Sequence, residues 1–197
     1  MRELIVAEFI TLDGVIQAPG GANEDTDGGF TQGGWTWPYW HDDIGARFFQ
    51  LMSESDALLL GRKTWQIHGG AFEPMKAGDP FGDVMNGVKK YVVSRTLTST
   101  SAWRNSTLIR DDVPGAVQRL KQEPGVGLWV GGVTLPLALA DLGLIDEYEF
   151  LVQPVLVGHG PSLLAGLRER IQLELLDRQE FRSGAVALRF RPTRGTA

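Results

Sequence analysis

The stretch Leu58–Trp65, with the sequence LLLGRKTW, passes from an apolar segment to a basic one at a single glycine. The apolar run before Gly61 is typical of a buried β-strand, and the residues after it are typical of a helix start. A helix N-terminus presents free N–H groups and the positive end of the helix dipole, to which Arg62, Lys63 and Thr64 add two cations and a hydroxyl group. The junction is suited to binding a phosphate, but a tight turn with solvated charges fits these eight residues equally well.

The composition predicts one domain with one core, because the chain has 197 residues of which 43% are hydrophobic. A formal charge of -5 argues against nucleic acid or an anionic membrane as the main partner, so any phosphate site must be local. The absence of cysteine excludes disulfides, thiolate nucleophiles and cysteine-ligated zinc, and it fits a cytoplasmic location. We expect neither a signal peptide nor a membrane span, since no apolar run is long enough.

The order of the predicted elements indicates an α/β fold. Strands alternate with helices in the first two thirds of the chain, and strands alone come afterwards, which favours a mostly parallel sheet with an antiparallel C-terminal edge. Residues 68–82 are rich in glycine and proline and are predicted to be irregular, and the tail from Pro192 is predicted to fray. Residues 146–157 are predicted to form a long edge strand, which would be compatible with a homodimer.

Between Gly14 and Asp43 lies a long segment rich in glycine, acidic residues and tryptophan. A connection of this length is usually functional or disordered. Trp35, Trp37 and Trp40 need a ligand, a partner or the protein body to cover them, so the segment is either a lid or pocket wall or a packed loop. Together with Phe49, we expect them to line an apolar substrate cleft suited to a flat ring.

Three predicted strand ends carry groups suited to phosphate. They are Gly61-Arg62-Lys63-Thr64, Ser94-Arg95-Thr96 and Gly131-Gly132-Val133-Thr134. Ligands of open α/β sheets bind across the carboxyl ends of the strands, so the three segments together indicate a dinucleotide with more than one phosphate group. Each segment alone is more typical of a turn. The chain contains neither the G-x-G-x-x-G fingerprint nor a P-loop, so the cofactor must be held differently.

Several motifs, taken in order, resemble one family. They are Thr11-Leu12-Asp13-Gly14, Leu60–Trp65, Tyr91–Thr96, Gly131-Gly132, Leu144–Glu147 and Pro154–Gly160. Over residues 2–191 the chain is similar to the dihydrofolate reductase superfamily, in the branch of the riboflavin-biosynthesis reductase (RibD C-terminal) domain. The resemblance implies a homodimeric, NADPH-binding α/β domain with helices on both faces of the sheet.

The resemblance also implies roles for the three strand ends. Arg62, Lys63 and Thr64, with Gly61 before them, would contact the cofactor phosphates. Ser94 and Arg95 would bind the adenosine 2′-phosphate, and Arg95 would favour NADPH over NADH. Gly131, Gly132, Val133 and Thr134 would lie against the pyrophosphate.

The sequence leaves the substrate and the proton donor open. The carboxylate that dihydrofolate reductases carry after the long loop is replaced by Gly45, and riboflavin reductases have an acid and a lysine where this chain has Val130 and about Ala7. Asp13 comes after the first strand and is a candidate proton donor, although Asp-Gly is also a common turn pair. The three histidines lack metal-ligand spacing, so we expect no metal site.

These patterns are compatible with more than one function. The first is an NADPH-dependent reductase of a small heterocyclic or carbonyl substrate. The second is a non-catalytic NADP(H)-binding sensor or accessory protein that kept the cofactor cleft. A purely structural module with the tryptophan-rich segment as its partner surface is a third alternative.

Overall fold

A computed structural model describes residues 1–193 of the chain. The strands are β1 Glu3–Thr11, β2 Ala57–Gly61, β3 Lys89–Val93, β4 Ser106–Ile109, β5 Gly127–Gly131, β6 Glu147–Gln153, β7 Leu173–Glu180 and β8 Val186–Pro192. The helices are α1 Asp42–Ser53, α2 Arg62–Phe72, α3 Pro80–Gly87, α4 Val113–Gln122 and α5 Thr134–Asp141. The last four residues of the predicted tail lie outside the described residues.

The strands form one sheet in the order β4-β3-β2-β5-β1-β6-β8-β7. The first six run parallel, and β8 and β7 extend the sheet antiparallel, which confirms the predicted α/β fold. Because β2 and β5 are neighbours in register, with Leu60 opposite Gly131, the two glycine-bearing strand ends lie side by side.

Helices cover both faces of the sheet. On one face, Val117 of α4 and Leu139 of α5 pack with Leu59 and Val130 in the larger core cluster. On the other face, residues of α1, α2 and α3 pack against the sheet, with Leu58 and Leu60 of β2 among their contacts. The alternation of side chains along β2 sends Leu59 to one face and its neighbours to the other.

Two local predictions were wrong. Residues 68–72 and 80–82 are helical, and only residues 73–79 of the predicted irregular segment are irregular. The helix α2 continues through Gly69, which fits closely against Trp103 with a hypothetical Cβ 3.2 Å from that residue's own Cβ. Asp79 then caps α3 by accepting a hydrogen bond from the Gly82 N–H at 2.9 Å.

The predicted strand 146–157 ends at Gln153 and lies inside the sheet between β1 and β8, so it offers no edge for dimerisation. The homodimer stays a prediction.

Among residues 1–193, no helix has both the length and the apolar character that crossing a membrane would require.

A buried ion pair ties α1 to the centre of the sheet. Arg47 donates from Nε to Oε1 of Glu149 at 2.6 Å and from Nη2 to Oε2 at 2.9 Å. Both side chains are almost completely buried. Two parallel charge-assisted bonds fix the orientation of the helix, and removing one partner would leave a buried charge largely uncompensated.

We expect Arg47→Met to lower the free energy of unfolding by about 3 kcal/mol, because Glu149 loses both hydrogen bonds and keeps only the Arg189 guanidinium, 3.8 Å away. Urea denaturation measures the change. Arg178→Ala, which removes an exposed arginine of β7, is the control and should leave stability unchanged. A loss in Arg47→Met no larger than that of the control would contradict this assignment.

Candidate functional site

A cleft of about 750 Å³ opens at the carboxyl edge of the parallel strands. Its walls come from the middle of β1, from β2, β3 and β5, from the first turns of α2, α4 and α5, and from the long loop after β1. Eight residues that the sequence predicts for cofactor binding line it, namely Gly61, Arg62, Lys63, Thr64, Gly131, Gly132, Val133 and Thr134. The fold therefore brings two of the three predicted segments together.

The two glycines after β5 are required by close contacts. A Cβ on Gly132 would lie 2.5 Å from Oγ1 of Thr64, and the residue has a φ of +98°. A Cβ on Gly131 would lie 3.2 Å from Oε1 of Glu8. A side chain at Gly132 would press on Thr64 at the start of α2, whereas one at Gly131 would displace only the carboxylate end of Glu8. The glycine at 132 therefore lets α2 begin close to β5.

The third predicted segment lies beside the cleft and does not line it. Arg62 donates from Nη1 to Oγ1 of Thr96 at 3.1 Å, which joins the start of α2 to the residues after β3. Ser94 is buried, and its hydroxyl oxygen accepts hydrogen bonds from the N–H groups of Thr96 and Leu97. Arg95 is exposed next to this turn. Its guanidinium group is therefore free to approach a ligand that extends from the cleft over β3.

Lys63 is held by the long loop. Its ammonium group lies 2.7 Å from Oδ2 of Asp25 and 2.6 Å from Oδ2 of Asp27. Gln17 donates to the backbone carbonyls of the same two aspartates at 3.2 and 3.0 Å. Residues 16–19 of the loop also line the cleft, so this part of the predicted lid or pocket wall does form a wall.

The aromatic residues predicted to contact substrate are positioned elsewhere: Trp35, Trp37, Trp40 and Phe49 do not line the cleft. Trp35 is buried and donates from Nε1 to the carbonyl of Gln17 at 2.8 Å. Trp37 and Trp40 pack together, and both Trp40 and Phe49 contact the ring of Phe81. Trp40 and Phe49 are partly covered because α3 supplies Phe81, whereas Trp37 remains 59% exposed.

The indole that does line the cleft belongs to Trp129 of β5. Its Nε1 donates to the carbonyl of Ala7 at 2.7 Å, which fixes the ring against β1. In the sequence Trp129 is one apolar residue in an apolar strand. The apolar pattern of that strand predicted that Trp129 would be buried and gave no sign that it lines a cleft.

Asp13 lies outside the cleft lining. Its carboxylate accepts hydrogen bonds from the Thr11 hydroxyl at 2.5 Å and from the backbone N–H groups of Val157 and Gly158 at 3.2 and 2.7 Å. These bonds, with that of Thr11 first, lower the pKa of Asp13 below its usual value. Its geometry is that of a turn residue that holds the segment after β6.

Glu8 is an acid of the cleft that the sequence pattern did not single out. It lies on β1, lines the cleft, and accepts through Oε1 a hydrogen bond from the N–H of Gly132. Burial raises the pKa of Glu8 to about 8, although the Gly132 bond opposes the shift and the nearby Glu24 charge adds to it. A glutamate inside the apolar run LIVAEFI was the available signal, since a charged residue in a buried strand requires a partner or a function.

His68 is a second titratable residue of the cleft that was not predicted. Because α2 continues beyond Trp65, positions 64, 67 and 68 lie on one helix face and line the cleft together. Burial lowers the pKa of His68 to about 4, and its Nδ1 has no hydrogen-bond partner. The side chain is therefore uncharged at neutral pH.

The sheet order and the cleft at its carboxyl edge define a protein of the dihydrofolate reductase-like α/β class. Residues 2–187 match the RibD C-terminal domain, and the chain belongs to that reductase-like family.

The chain is similar in sequence or in fold to several known proteins. The uncharacterized protein YyaP of Bacillus subtilis (strain 168) is 29% identical over 191 residues, which cover 95% of this chain and 93% of YyaP. Dihydrofolate reductase from Enterococcus faecalis, solved with NADP(H), superposes with a TM-score of 0.61 at 13% identity and 96% coverage of both chains. The deaminase and 5-amino-6-(5-phosphoribosylamino)uracil reductase of Thermotoga maritima gives a TM-score of 0.64 at 14% identity, covering 98% of this chain and 57% of that longer one.

We expect Gly132→Ala to destabilise the protein by about 2 kcal/mol or more, because strain at positive φ adds to the clash with Thr64. Gly143→Ala is the matched control, since Gly143 also has a positive φ but no atom within 4 Å of the added Cβ. Urea unfolding should show a larger loss for Gly132→Ala than for the control. Adding Thr64→Ala should recover part of that loss, and equal losses in the two glycine variants would refute the contact.

Proposed function

We propose that the protein is an NADPH-dependent reductase that transfers a hydride to a small heterocyclic or carbonyl substrate. The observation that carries the proposal is the convergence of the α2 N-terminus, the Gly131-Gly132 pair and the α5 N-terminus on one cleft. Backbone N–H groups at two helix starts and one arginine suit the several phosphate groups of a dinucleotide. Membership of a reductase-like family supports the same class of reaction.

The proposed cofactor contacts lie along the cleft wall. Gly61 and Thr64 offer a backbone amide and a hydroxyl at α2, and Val133 and Thr134 offer amides and a hydroxyl at α5. The N–H of Gly132 is bound by Glu8, so this glycine would contribute room for the pyrophosphate and no hydrogen bond. Arg62 lies on the same wall, and Arg95 would bind the 2′-phosphate beyond it.

Lys63 would exchange its present partners for a phosphate. Its side chain is about half exposed, and that of Asp27 is largely exposed. An ion pair at such exposed positions contributes little free energy, so a phosphate dianion can displace Asp27. The Asp25 side chain is only 14% exposed, so Lys63 would keep this partner or turn away from it at a larger cost.

When bound, the nicotinamide supplies the hydride, and the chain must supply position and a proton. We propose Glu8, rather than Asp13, as the proton donor. Glu8 holds a proton at neutral pH inside the cleft, and its Oε2 makes no hydrogen bond in the described structure. The substrate carbon gains the hydride, the heteroatom of the reduced double bond gains the Glu8 proton, and water then reprotonates the carboxylate.

The role of Arg95 is tested by comparing two cofactors. We expect Arg95→Ala to weaken NADPH binding roughly 10- to 100-fold, which is the loss of one charge-assisted contact to phosphate, and to leave NADH binding within about twofold. Calorimetric titration measures both affinities, and Arg178→Ala on the opposite edge of the sheet is the control. An equal loss of affinity for NADPH and NADH would show that Arg95 does not bind the 2′-phosphate.

The role of Glu8 is tested by rate and pH. We expect Glu8→Gln to lower the rate of NADPH oxidation roughly 10²- to 10⁴-fold with a responsive substrate, while NADPH still binds. The pKa of Glu8 in the folded protein is raised to about 8, so Glu8 is fully protonated well below pH 8. The wild-type rate should therefore fall as the pH rises through 8, because Glu8 loses the proton that it donates. The variant should show no such fall.

Asp13→Asn is the matched comparison and should keep most of the activity. Loss of the rate in Asp13→Asn but not in Glu8→Gln would reverse the assignment. NADPH binding without turnover on a panel of pterins, pyrimidines and quinones would support the sensor alternative instead.

A further inference from the structure

One end of the cleft is almost wholly apolar. We call it the apolar end and define it by Leu58 and Leu60 of β2, Trp129 of β5, Ile67 and His68 of α2, and Met85 of α3. These residues lie on the face of the sheet covered by α1, α2 and α3. The proposed cofactor contacts lie at the starts of α2 and α5. Beyond them, apolar residues of α4 and α5, among them Val113 and Leu139, line the cleft on the opposite face of the sheet.

The apolar end carries no charge at neutral pH. His68 is its one titratable side chain, and burial lowers the pKa of that side chain to about 4. Among the described residues that line the cleft, the cations are Arg62 and Lys63. Both lie in the first turn of α2, five residues before Ile67 and His68 respectively, which is about 7.5 Å along the helix axis.

These two cations already have partners. Lys63 is paired with Asp25 and Asp27, and Arg62 donates to Thr96. In the proposed function both serve the cofactor phosphates. A phosphate group on the substrate would therefore find no counterion of its own.

The remaining charges of the cleft would repel such a phosphate. Glu24 and Asp25 line the same space and lie on the loop that closes one side of it, whereas Glu8 holds a proton and adds no charge. Moving a phosphate dianion from water to an apolar wall without a cation costs several kcal/mol, and nearby carboxylates add to the cost.

We propose that the substrate is an uncharged flat ring without a phosphate group, held at the apolar end against the indole of Trp129. The proposal rests on the proposed function, because the cofactor is taken to occupy the basic end. Trp129 suits this role since its Nε1 is bound by the Ala7 carbonyl, so the ring presents carbon atoms to the cleft. The phosphate-bearing pyrimidine named for the Thermotoga maritima relative is then excluded as the substrate of this chain.

The closing experiment first titrates the protein with NADP⁺ alone and then measures binding of two matched probes by calorimetry, with and without NADP⁺. The probes are 5-amino-6-ribosylaminouracil with and without its 5′-phosphate. We expect the probe without phosphate to bind at least about tenfold more tightly. Equal or tighter binding of the phosphorylated probe, or binding of neither, would overturn the proposal.

The NADP⁺ titration separates this inference from the proposed function. If NADP⁺ does not bind while the two probes still differ as expected, the reductase assignment fails and the apolar end keeps its preference for an uncharged ring. If NADP⁺ binds and the phosphorylated probe binds equally well, the reductase assignment stands and the substrate class is wrong.

A lysine at position 67 would place a positive charge in the apolar end of the cleft. Ile67 is partly exposed in the cleft, so a polar side chain fits there. Ile67→Lys should bind the phosphorylated probe about tenfold more tightly than the uncharged control Ile67→Gln, because only the lysine supplies a counterion. Melting temperatures show that both variants are folded, and equal affinities of the two for that probe would contradict the proposal.

Discussion

The contact between Gly132 and Thr64 is the constraint on which the rest of the site depends. It exists because β2 and β5 are parallel neighbours that end at the same edge, so the start of α2 meets the glycine pair after β5. Glu8 joins the same point through its bond to the Gly132 N–H. A side chain larger than hydrogen at Gly132 would separate the start of α2 from β5 and open the floor of the cleft.

Around this point the cleft has chemically different regions. The starts of α2 and α5 supply backbone amides and an arginine, which suit an anion, whereas Trp129, Leu58 and Ile67 supply an apolar surface. The difference arises because the cleft begins at the helix N-termini and continues along the face where α2 and α3 pack on the sheet. A cofactor and an uncharged substrate can then lie end to end without competing for the same groups.

The long loop after β1 adds charge to this arrangement. Asp25 and Asp27 hold Lys63, and Gln17 holds the backbone of both aspartates, so the loop is fastened to the start of α2. Its tryptophans pack within the loop and against α1 and α3 instead of lining the cleft. The loop thus acts as a wall that turns Glu24 and Asp25 toward the cleft and packs Trp35 and Trp40 against the protein, while Trp37 stays exposed.

The sequence by itself determined the class of fold and the two phosphate-suited strand ends, because apolar periodicity and glycine positions are local properties. Local patterns could not show that α2 continues past Gly69, since that depends on the close fit against Trp103. Nor could they choose between Asp13 and Glu8. Only the tertiary structure decided that Asp13 caps the turn at Gly158, while Glu8 lies in the cleft beside Gly132, because exposure and hydrogen-bond partners are set by residues far away in the chain.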